Sequence, residues 1–171
     1  MKMTSRDYNI IECLEECGGL TLNQLSCLFF NNSYKSASKR MVTLCRNNIT
    51  KCQFHYNIGK KVYYINKLPS YHRIIVNSID ILHKGNIKFS QREYNLGDMN
   101  IDYLVITNDK KVYCYEVDFY NRTSINKINR INDRMKDLRP NIVIISRYKR
   151  SKLLKNFDNI TNILVDDLRV I

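Results

Sequence analysis

Apolar residues recur at helical spacing three times in the first 47 residues. The first helix is predicted to begin at Thr4, whose hydroxyl can cap it, and to end at Gly18. A second helix is predicted over 22–30 and a third over about 34–47. Short polar breaks separate the three, so we expect a small bundle of helices at the start of the chain.

The spacing of apolar residues then changes from 3.6 to 2, which predicts strands. Residues 50–55 and 62–65 alternate in polarity around a glycine-containing turn that ends in Lys60 and Lys61. Three helices and a hairpin with a basic tip are typical of a winged helix-turn-helix, whose third helix enters the major groove of DNA. Residues 1–67 are therefore predicted to form a winged helix-turn-helix DNA-binding domain.

Residues 68–171 alternate between strands and helices, which predicts a small α/β domain with a mixed sheet. A helix capped by Ser70 is expected to reach about Leu82 and to pack between the two halves. The elements expected after it, in order, are strands over 87–94, 101–107 and 111–119, a helix over 124–138, a strand over 141–146, a helix over 149–156 and a strand over 163–165. The whole chain is predicted to be α+β.

The net charge of +12 and the pI near 9.5 suit a nucleic acid or an anionic membrane surface as partner. A membrane is disfavoured because the chain has no run of about 18 apolar residues. The first residues also lack the apolar stretch of a signal peptide. We therefore expect a cytoplasmic protein without a membrane partner, whose six cysteines are reduced. Cys13 and Cys17, four residues apart on the first helix, are expected to pack as small core residues.

Residues 17–79 contain nine lysines and arginines and no aspartate or glutamate. A surface that carries only positive charges is typical of phosphate binding. A basic helix face is also compatible with a surface that contacts only water. The outward positions of the third helix are predicted to lie nearest the base edges and their flanking phosphates, and basic residues around the hairpin to contact the backbone. The candidate DNA-binding residues are Tyr34, Lys35, Ser38, Lys39, Arg40, Arg46, Lys51, Lys60 and Lys61.

Three carboxylates are expected to converge at one end of the second-half sheet. Asp102 lies in one predicted strand, and Glu116 and Asp118 share a face of the next because side chains alternate along a strand. Such a group suits Mg²⁺ or Mn²⁺ and metal-dependent phosphodiester hydrolysis. These three residues are the candidate metal ligands and, with Lys127, the candidate catalytic residues.

The order of strands and the position of these residues resemble the restriction-endonuclease-like fold, the PD-(D/E)xK superfamily. Ile101-Asp102 resembles its first motif and Glu116-Val117-Asp118 its second, but Asp118 stands where that superfamily has a lysine. Lys127, one turn into the next helix, is the candidate substitute. In the alternative interpretation, the carboxylates are structural and pair with Arg122, Lys127 or Arg130, or they form a relic site. We expect no catalysis and no required cofactor, with Mg²⁺ or Mn²⁺ needed only if the site is active.

The chain also resembles the replication-relaxation family of plasmids, phages and integrative elements. In the first half the resemblance is carried by Arg6-Asp7, Leu14, the run from Gly19 to Leu25, Phe29-Phe30, Ala37, Arg40-Met41 and Leu44. In the second half it is carried by Asp102, Glu116-Val117-Asp118 and Lys127, with Phe119-Tyr120 in place of an Arg-Gly pair. The resemblance implies that Asp118 is the usual residue of the family, and it implies a role in plasmid replication, DNA relaxation or mobilisation.

The leading hypothesis is a sequence-specific double-stranded DNA-binding protein of a mobile genetic element, acting in replication, transfer or partition. One alternative is a metal-dependent DNA endonuclease or nickase that the winged helix targets to its site. Another is a transcriptional regulator whose second half dimerises or senses a ligand. The strand at 163–165 is compatible with pairing across a two-fold axis, so a homodimer and the replication or transfer machinery remain open as further partners.

Overall fold

A computed structural model describes residues 1–119 and 121–168, apart from the side chain of Leu153. Tyr120 of the motif segment and the last three residues of the expected second domain lie outside this description. The fold is α+β, with a small antiparallel sheet and a mixed five-stranded sheet, which confirms the expected fold class at that level. None of the helices in the described ranges is long and apolar enough to cross a bilayer.

The chain divides into two compact units, residues 1–82 and 83–168. The first unit combines four helices with a three-stranded antiparallel sheet in the order β1-β3-β2. Its elements are α1 (Ser5–Cys17), β1 (Leu20–Thr21), α2 (Leu22–Phe29), α3 (Tyr34–Arg46), β2 (Lys51–His55), β3 (Lys60–Tyr64) and α4 (Tyr71–Leu82).

Side-chain caps define the first two helices. The Thr4 hydroxyl accepts from the backbone N–H of Asp7, and the Asp7 carboxylate accepts from the backbone N–H of Thr4. The same reciprocal box joins Thr21 and Gln24 at the start of α2. Gly18 ends α1 in the left-handed region at φ 82°, where a residue without Cβ carries no steric penalty. The predicted starts of both helices and the end of α1 are confirmed.

The sequence pattern does not predict β1. Leu20 pairs with Tyr63 and Thr21 with Val62, so this two-residue strand extends the hairpin sheet on its far side. A Cβ at Gly19 would lie 2.9 Å from the Tyr63 carbonyl oxygen, so the strand can approach β3 because residue 19 has no side chain. Two residues are too few for an alternating pattern, and long-range pairing alone defines the strand.

Helix α4 belongs to the first compact unit, which reaches Leu82, whereas the winged helix-turn-helix domain was predicted to span residues 1–67. The buried Gln24 amide donates to the Ile74 carbonyl at 2.8 Å and to the Ser78 hydroxyl at 3.0 Å. Asn77 is also buried, and it donates to the carbonyls of Cys17 and Gly19. These bonds satisfy polar groups that would otherwise be buried without a partner, which fixes α4 against α2 and the end of α1.

The apolar stripes of the first three helices meet in one core. The inward positions expected for α3 are all buried. In α1 and α2 the expected positions Ile10, Leu14, Cys17, Leu22 and Leu25 are buried, whereas Ile11, Leu28 and Phe29 are only partly buried. The central members of this core are Ile10, Leu14, Leu25, Ala37, Met41 and Leu44. Burying the inner stripe of α3 leaves its opposite face exposed.

The second unit is a five-stranded sheet in the order β4-β5-β6-β7-β8. Strands β4, β5 and β6 are antiparallel neighbours, and β6, β7 and β8 run parallel, with helical crossovers between them. The elements are β4 (Ile87–Asn95), β5 (Asn100–Thr107), β6 (Val112–Asp118), α5 (Ile125–Arg134), β7 (Asn141–Ser146), α6 (Ser151–Asn156) and β8 (Ile160–Leu164).

Two predicted elements of this unit differ from the structure by three residues or more at one end. The helix expected over 124–138 ends at Arg134 and is followed by a 3₁₀ turn at Lys136–Leu138, after which Arg139 adopts the left-handed conformation. The last strand begins three residues earlier than expected, because Ile160 pairs with Ile142 of β7. The apolar face of α5 packs on the sheet through Ile128, Ile131 and Met135.

An ion pair joins α3 to the first turn of α1. Arg40 Nε donates to Asp7 Oδ1 at 2.6 Å, and a second guanidinium nitrogen pairs with Oδ2. The Asp7 side chain is wholly buried, whereas that of Arg40 is 25% exposed. The hydrogen bond from Arg40, with further bonds from Thr4, lowers the pKa of Asp7 to about 2 against the opposing effect of burial. Arg40 therefore has a structural partner, in addition to its predicted place among the DNA-binding residues.

We expect Arg40→Ala to lower the free energy of unfolding of the first unit by about 2–4 kcal/mol, because it leaves a buried carboxylate without its cation. The exposed neighbour Lys39→Ala is the matched control, and it should change stability by no more than about 0.5 kcal/mol. Urea unfolding followed by circular dichroism at pH 7 measures both. Equal effects of the two substitutions would contradict the structural role of Arg40.

Candidate functional site

The exposed face of α3 is basic. Lys35, Lys39 and Arg46 are exposed and lie on one side of the helix, since residues four and eleven positions apart return to the same face. The core residues Ala37 and Met41 occupy the opposite side. Three predicted DNA-binding residues therefore share one exposed surface.

A groove of about 530 Å³ lies between α3 and the β2–β3 hairpin, and we call it the α3–hairpin groove. It brings together four of the predicted DNA-binding residues, two from the helix and two from the hairpin tip. Its lining includes Tyr34, Ser38, Val42, Phe54, Lys60 and Lys61. The structure thus joins the helical and hairpin parts of the predicted site.

Two exposed aromatic side chains of the hairpin were missed by sequence reasoning. Phe54 is 46% exposed and Tyr56 is 86% exposed, and their ring centroids lie 5.4 Å apart in an edge-to-face arrangement. Phe54 also lines the α3–hairpin groove. The alternation of β2 could have indicated this, because it places Phe54 on the opposite face from the buried His55.

The remaining predicted DNA-binding residues lie outside the groove. Lys39 lines a second hollow of about 380 Å³ together with Arg6, whose guanidinium lies 5.0 Å from the ring centroid of Phe30. Arg6 was not among the predicted residues. Lys51 is exposed on β2, and its ammonium lies 3.5 Å from the Asn66 carbonyl oxygen. Arg40 lines the hollow too, but Asp7 holds its guanidinium.

The candidate carboxylates of the second unit bond to protein groups. Asp102 Oδ2 accepts from the backbone N–H of Val117 at 2.7 Å, which links β5 to β6. Glu116 Oε2 accepts from Lys127 Nζ at 2.6 Å and lies 3.5 Å from the hydroxyl oxygen of Thr123. Glu116 and Lys127, predicted to act together, therefore form an ion pair between β6 and α5.

Asp118 is held by Thr123 and Arg150. Its Oδ1 accepts from the backbone N–H of Thr123 at 2.8 Å and from the hydroxyl at 2.6 Å. Its Oδ2 forms an ion pair with Arg150, which precedes α6. Neither partner was predicted, because both are placed by the fold: Thr123 by the turn after β6, and Arg150 by the parallel pairing of β6 with β7.

Glu116 is a buried carboxylate with a raised pKa. Burial, together with the nearby charge of Asp102, raises its pKa to about 7 against the opposing effects of Lys127 and Thr123. Its Oε1 is buried and has no hydrogen-bond partner among the described residues. An orphaned buried oxygen favours the protonated carboxyl, because the anion would stay unsolvated there.

In this arrangement the three carboxylates do not fit a metal ion. No group of three or more His, Cys, Asp or Glu side chains within residues 1–119 and 121–168 could hold one. Glu116 and Asp118 form ion pairs with Lys127 and Arg150 instead. The structural interpretation matches for Lys127, which pairs with Glu116. Arg130 pairs instead with Asp98, and Arg122 lines a cavity whose wall also includes Asp118.

No family model, curated protein or solved structure matches this chain. The resemblance to the replication-relaxation family therefore stays a prediction from the sequence.

We expect Glu116 to make the second unit less stable as the pH rises. A carboxyl with a folded pKa near 7, above its ordinary 4.5, binds its proton more tightly in the folded state. The resulting stabilisation is fully present below pH 4.5 and lost as the pH rises through 7. Between pH 5 and pH 8 the unfolding free energy of the Glu116→Gln variant should therefore decrease by about 1–3 kcal/mol less than that of the wild type.

Urea unfolding at several pH values measures this dependence. The matched control is Glu93→Gln, which changes an exposed glutamate of the same unit and should leave the pH dependence as in the wild type. A Glu116→Gln protein that keeps the full dependence would exclude Glu116 as its source.

Proposed function

We propose that the first unit is a winged helix-turn-helix and that the protein binds double-stranded DNA sequence-specifically through α3 and the β2–β3 hairpin. The observation that carries this proposal is the α3–hairpin groove, where Tyr34 and Ser38 of the helix meet Lys60 and Lys61 of the hairpin. The segment 17–79 that supplies this surface contains no carboxylate. A phosphate backbone approaching it therefore meets only neutral and positive side chains of that segment.

The dimensions of α3 support its proposed role as the recognition helix. Its 13 residues make a rod about 20 Å long, and a helix of this kind fits the major groove. Lys35, Lys39 and Arg46 form the exposed side, suited to phosphates and guanine edges, and Tyr34 and Ser38 lie toward the hairpin. The ion pair of Arg40 with Asp7 fixes how this face is presented.

The role in a mobile genetic element, at a replication, transfer or partition site, rests on the sequence resemblance to the replication-relaxation family. We propose that the second unit is a restriction-endonuclease-like domain that acts without catalysis. The support for a non-catalytic role is that Asp102, Glu116 and Asp118 each bond to protein groups.

Lys35→Ala/Lys39→Ala should weaken binding to a duplex from the neighbourhood of its own gene at least tenfold at low salt, because two phosphate-facing cations are lost. The slope of log affinity against log salt should become shallower by about 2, as expected for two fewer phosphate contacts. Fluorescence anisotropy with a labelled duplex, at salt concentrations from 50 to 200 mM, measures both quantities.

The matched control removes the same charge from exposed positions outside the first unit, as Lys88→Ala/Lys136→Ala. It should bind the duplex within about twofold of the wild type. If Lys35→Ala/Lys39→Ala bound the duplex as tightly as the wild type, the assignment of α3 as the recognition helix would be wrong. If the wild type bound a scrambled duplex as tightly as the original one, sequence-specific binding would be contradicted, whereas binding to duplex DNA would still hold.

A further inference from the structure

A second cavity, of about 730 Å³, is built wholly from residues of the second unit. It lies at the carboxyl ends of the parallel strands β6 and β7, where Asp118 is paired in register with Ser146. The start of α5 and the segment leading into α6 form its walls. We call it the basic hollow. In sheets with parallel strands, ligands commonly bind outside the carboxyl ends of the strands.

The lining of the basic hollow is strongly cationic. It contains the side chains of Arg122, Arg147, Lys149, Arg150 and Lys152. Asp118 is the only carboxylate among the described residues of the lining, and it is already bonded to Arg150 and Thr123. Arg150 is further held by the Thr123 carbonyl oxygen at 2.9 Å. The lining as a whole therefore carries an excess of positive charge, and Arg122, Lys149 and Lys152 are exposed to a ligand.

The polar groups of the hollow suit a phosphate. Ser124 caps the ten-residue helix α5, and Ser124 and Ser151 add hydroxyls to the lining, whereas the Ser146 hydroxyl donates to the Tyr148 carbonyl. The amino end of a helix carries partial positive charge, which adds to the field of the lysines and arginines. Cations, hydroxyls and this helix end converge on one space, as a bound phosphate group requires.

Aromatic side chains give the hollow a second kind of surface. Tyr148 is 72% exposed and lies in the lining next to Lys149. Phe119 lines it as well, and the guanidinium of Arg147 lies 4.2 Å from the Phe119 ring centroid. Exposed aromatic rings beside cations are the arrangement on which nucleic-acid bases stack. The volume also falls in the range of cavities that bind small organic ligands.

We propose that the basic hollow binds a nucleoside phosphate, with the phosphate held among Arg122, Lys149 and Lys152 and the base stacked on Tyr148. The same chemistry is offered by a free nucleotide and by one nucleotide of a single strand. This site goes beyond duplex binding by the first unit, and its residues are different from those of the α3–hairpin groove.

The test uses the full chain and three probes: inorganic phosphate, thymidine monophosphate and a hexathymidylate strand. Isothermal titration calorimetry should show thymidine monophosphate binding at least tenfold more tightly than inorganic phosphate. Lys149→Ala/Lys152→Ala should weaken nucleotide binding at least tenfold. The charge-matched Lys88→Ala/Lys136→Ala control, and the α3 variant Lys35→Ala/Lys39→Ala, should stay within twofold of the wild type.

Tyr148→Ala separates the stacking surface from the phosphate site. It should lower the affinity for thymidine monophosphate at least fivefold and leave that for inorganic phosphate unchanged. Tighter binding of the strand than of the mononucleotide would identify a single strand as the source of the nucleotide, and the reverse order would identify a free nucleotide. Both results support the site, provided that Lys149→Ala/Lys152→Ala weakens the binding.

Three results would overturn the proposal: no binding of either nucleotide probe, equal weakening by the hollow variant and its charge-matched control, or equal affinity for phosphate and nucleotide. The exposed positions of Lys149, Lys152 and Tyr148 make the variants compatible with folding, which circular dichroism checks. Failure here leaves duplex binding by the first unit intact. Failure of duplex binding likewise leaves the nucleotide titrations unaffected, because the two tests change different residues.

Discussion

A carboxylate that leaves water must gain a cation, a set of hydrogen bonds or a proton, and this constraint organises both units of the protein. Asp7, Glu116 and Asp118 are buried, and each pairs with a cation from another element: Arg40 for Asp7, Lys127 for Glu116 and Arg150 for Asp118. The pairs of Asp7 and Asp118 join segments more than 30 residues apart, and the pair of Glu116 joins β6 to the next helix. The buried charges therefore act as connections between elements, in addition to the apolar cores.

The constraint is met differently in the two units. Asp7 receives bonds from Arg40 and Thr4 on both oxygens, and its pKa is held at about 2, so it stays an anion. Glu116 has one satisfied oxygen and one orphaned oxygen, and its pKa rises to about 7. The first unit thus fixes a permanent charge to orient a helix, whereas the second keeps a group that gains or loses a proton near neutrality.

Features encoded within a few residues could be predicted from the sequence. The capping box of α1 needs only Thr4 and Asp7, and the order of strands and helices in the second unit follows from the spacing of apolar residues. The proximity of Glu116 to Lys127 was also predicted, since a strand and the next helix turn limit the distance between them. Such local signals depend on neighbours along the chain, and the sequence displays these directly.

Features that depend on distant pairing could not be predicted. Arg40 is basic and lies on a predicted recognition helix, yet its partner Asp7 is 33 residues earlier, and the sequence does not show which cation will reach it. β1 exists only because β3 lies beside it. The basic hollow was missed for the same reason, because parallel pairing of β6 and β7 brings Arg122 and Lys149 to one edge of the sheet.

The position of Thr123 has a consequence for how these charges behave. Its hydroxyl carries a single hydrogen but lies 2.6 Å from an oxygen of Asp118 and 3.5 Å from an oxygen of Glu116. Both carboxylates compete for that one donor, so the ionisation of either changes the hydrogen bond available to the other. The Thr123 hydroxyl therefore connects the two carboxylates, and through Asp118 this connection reaches the wall of the basic hollow.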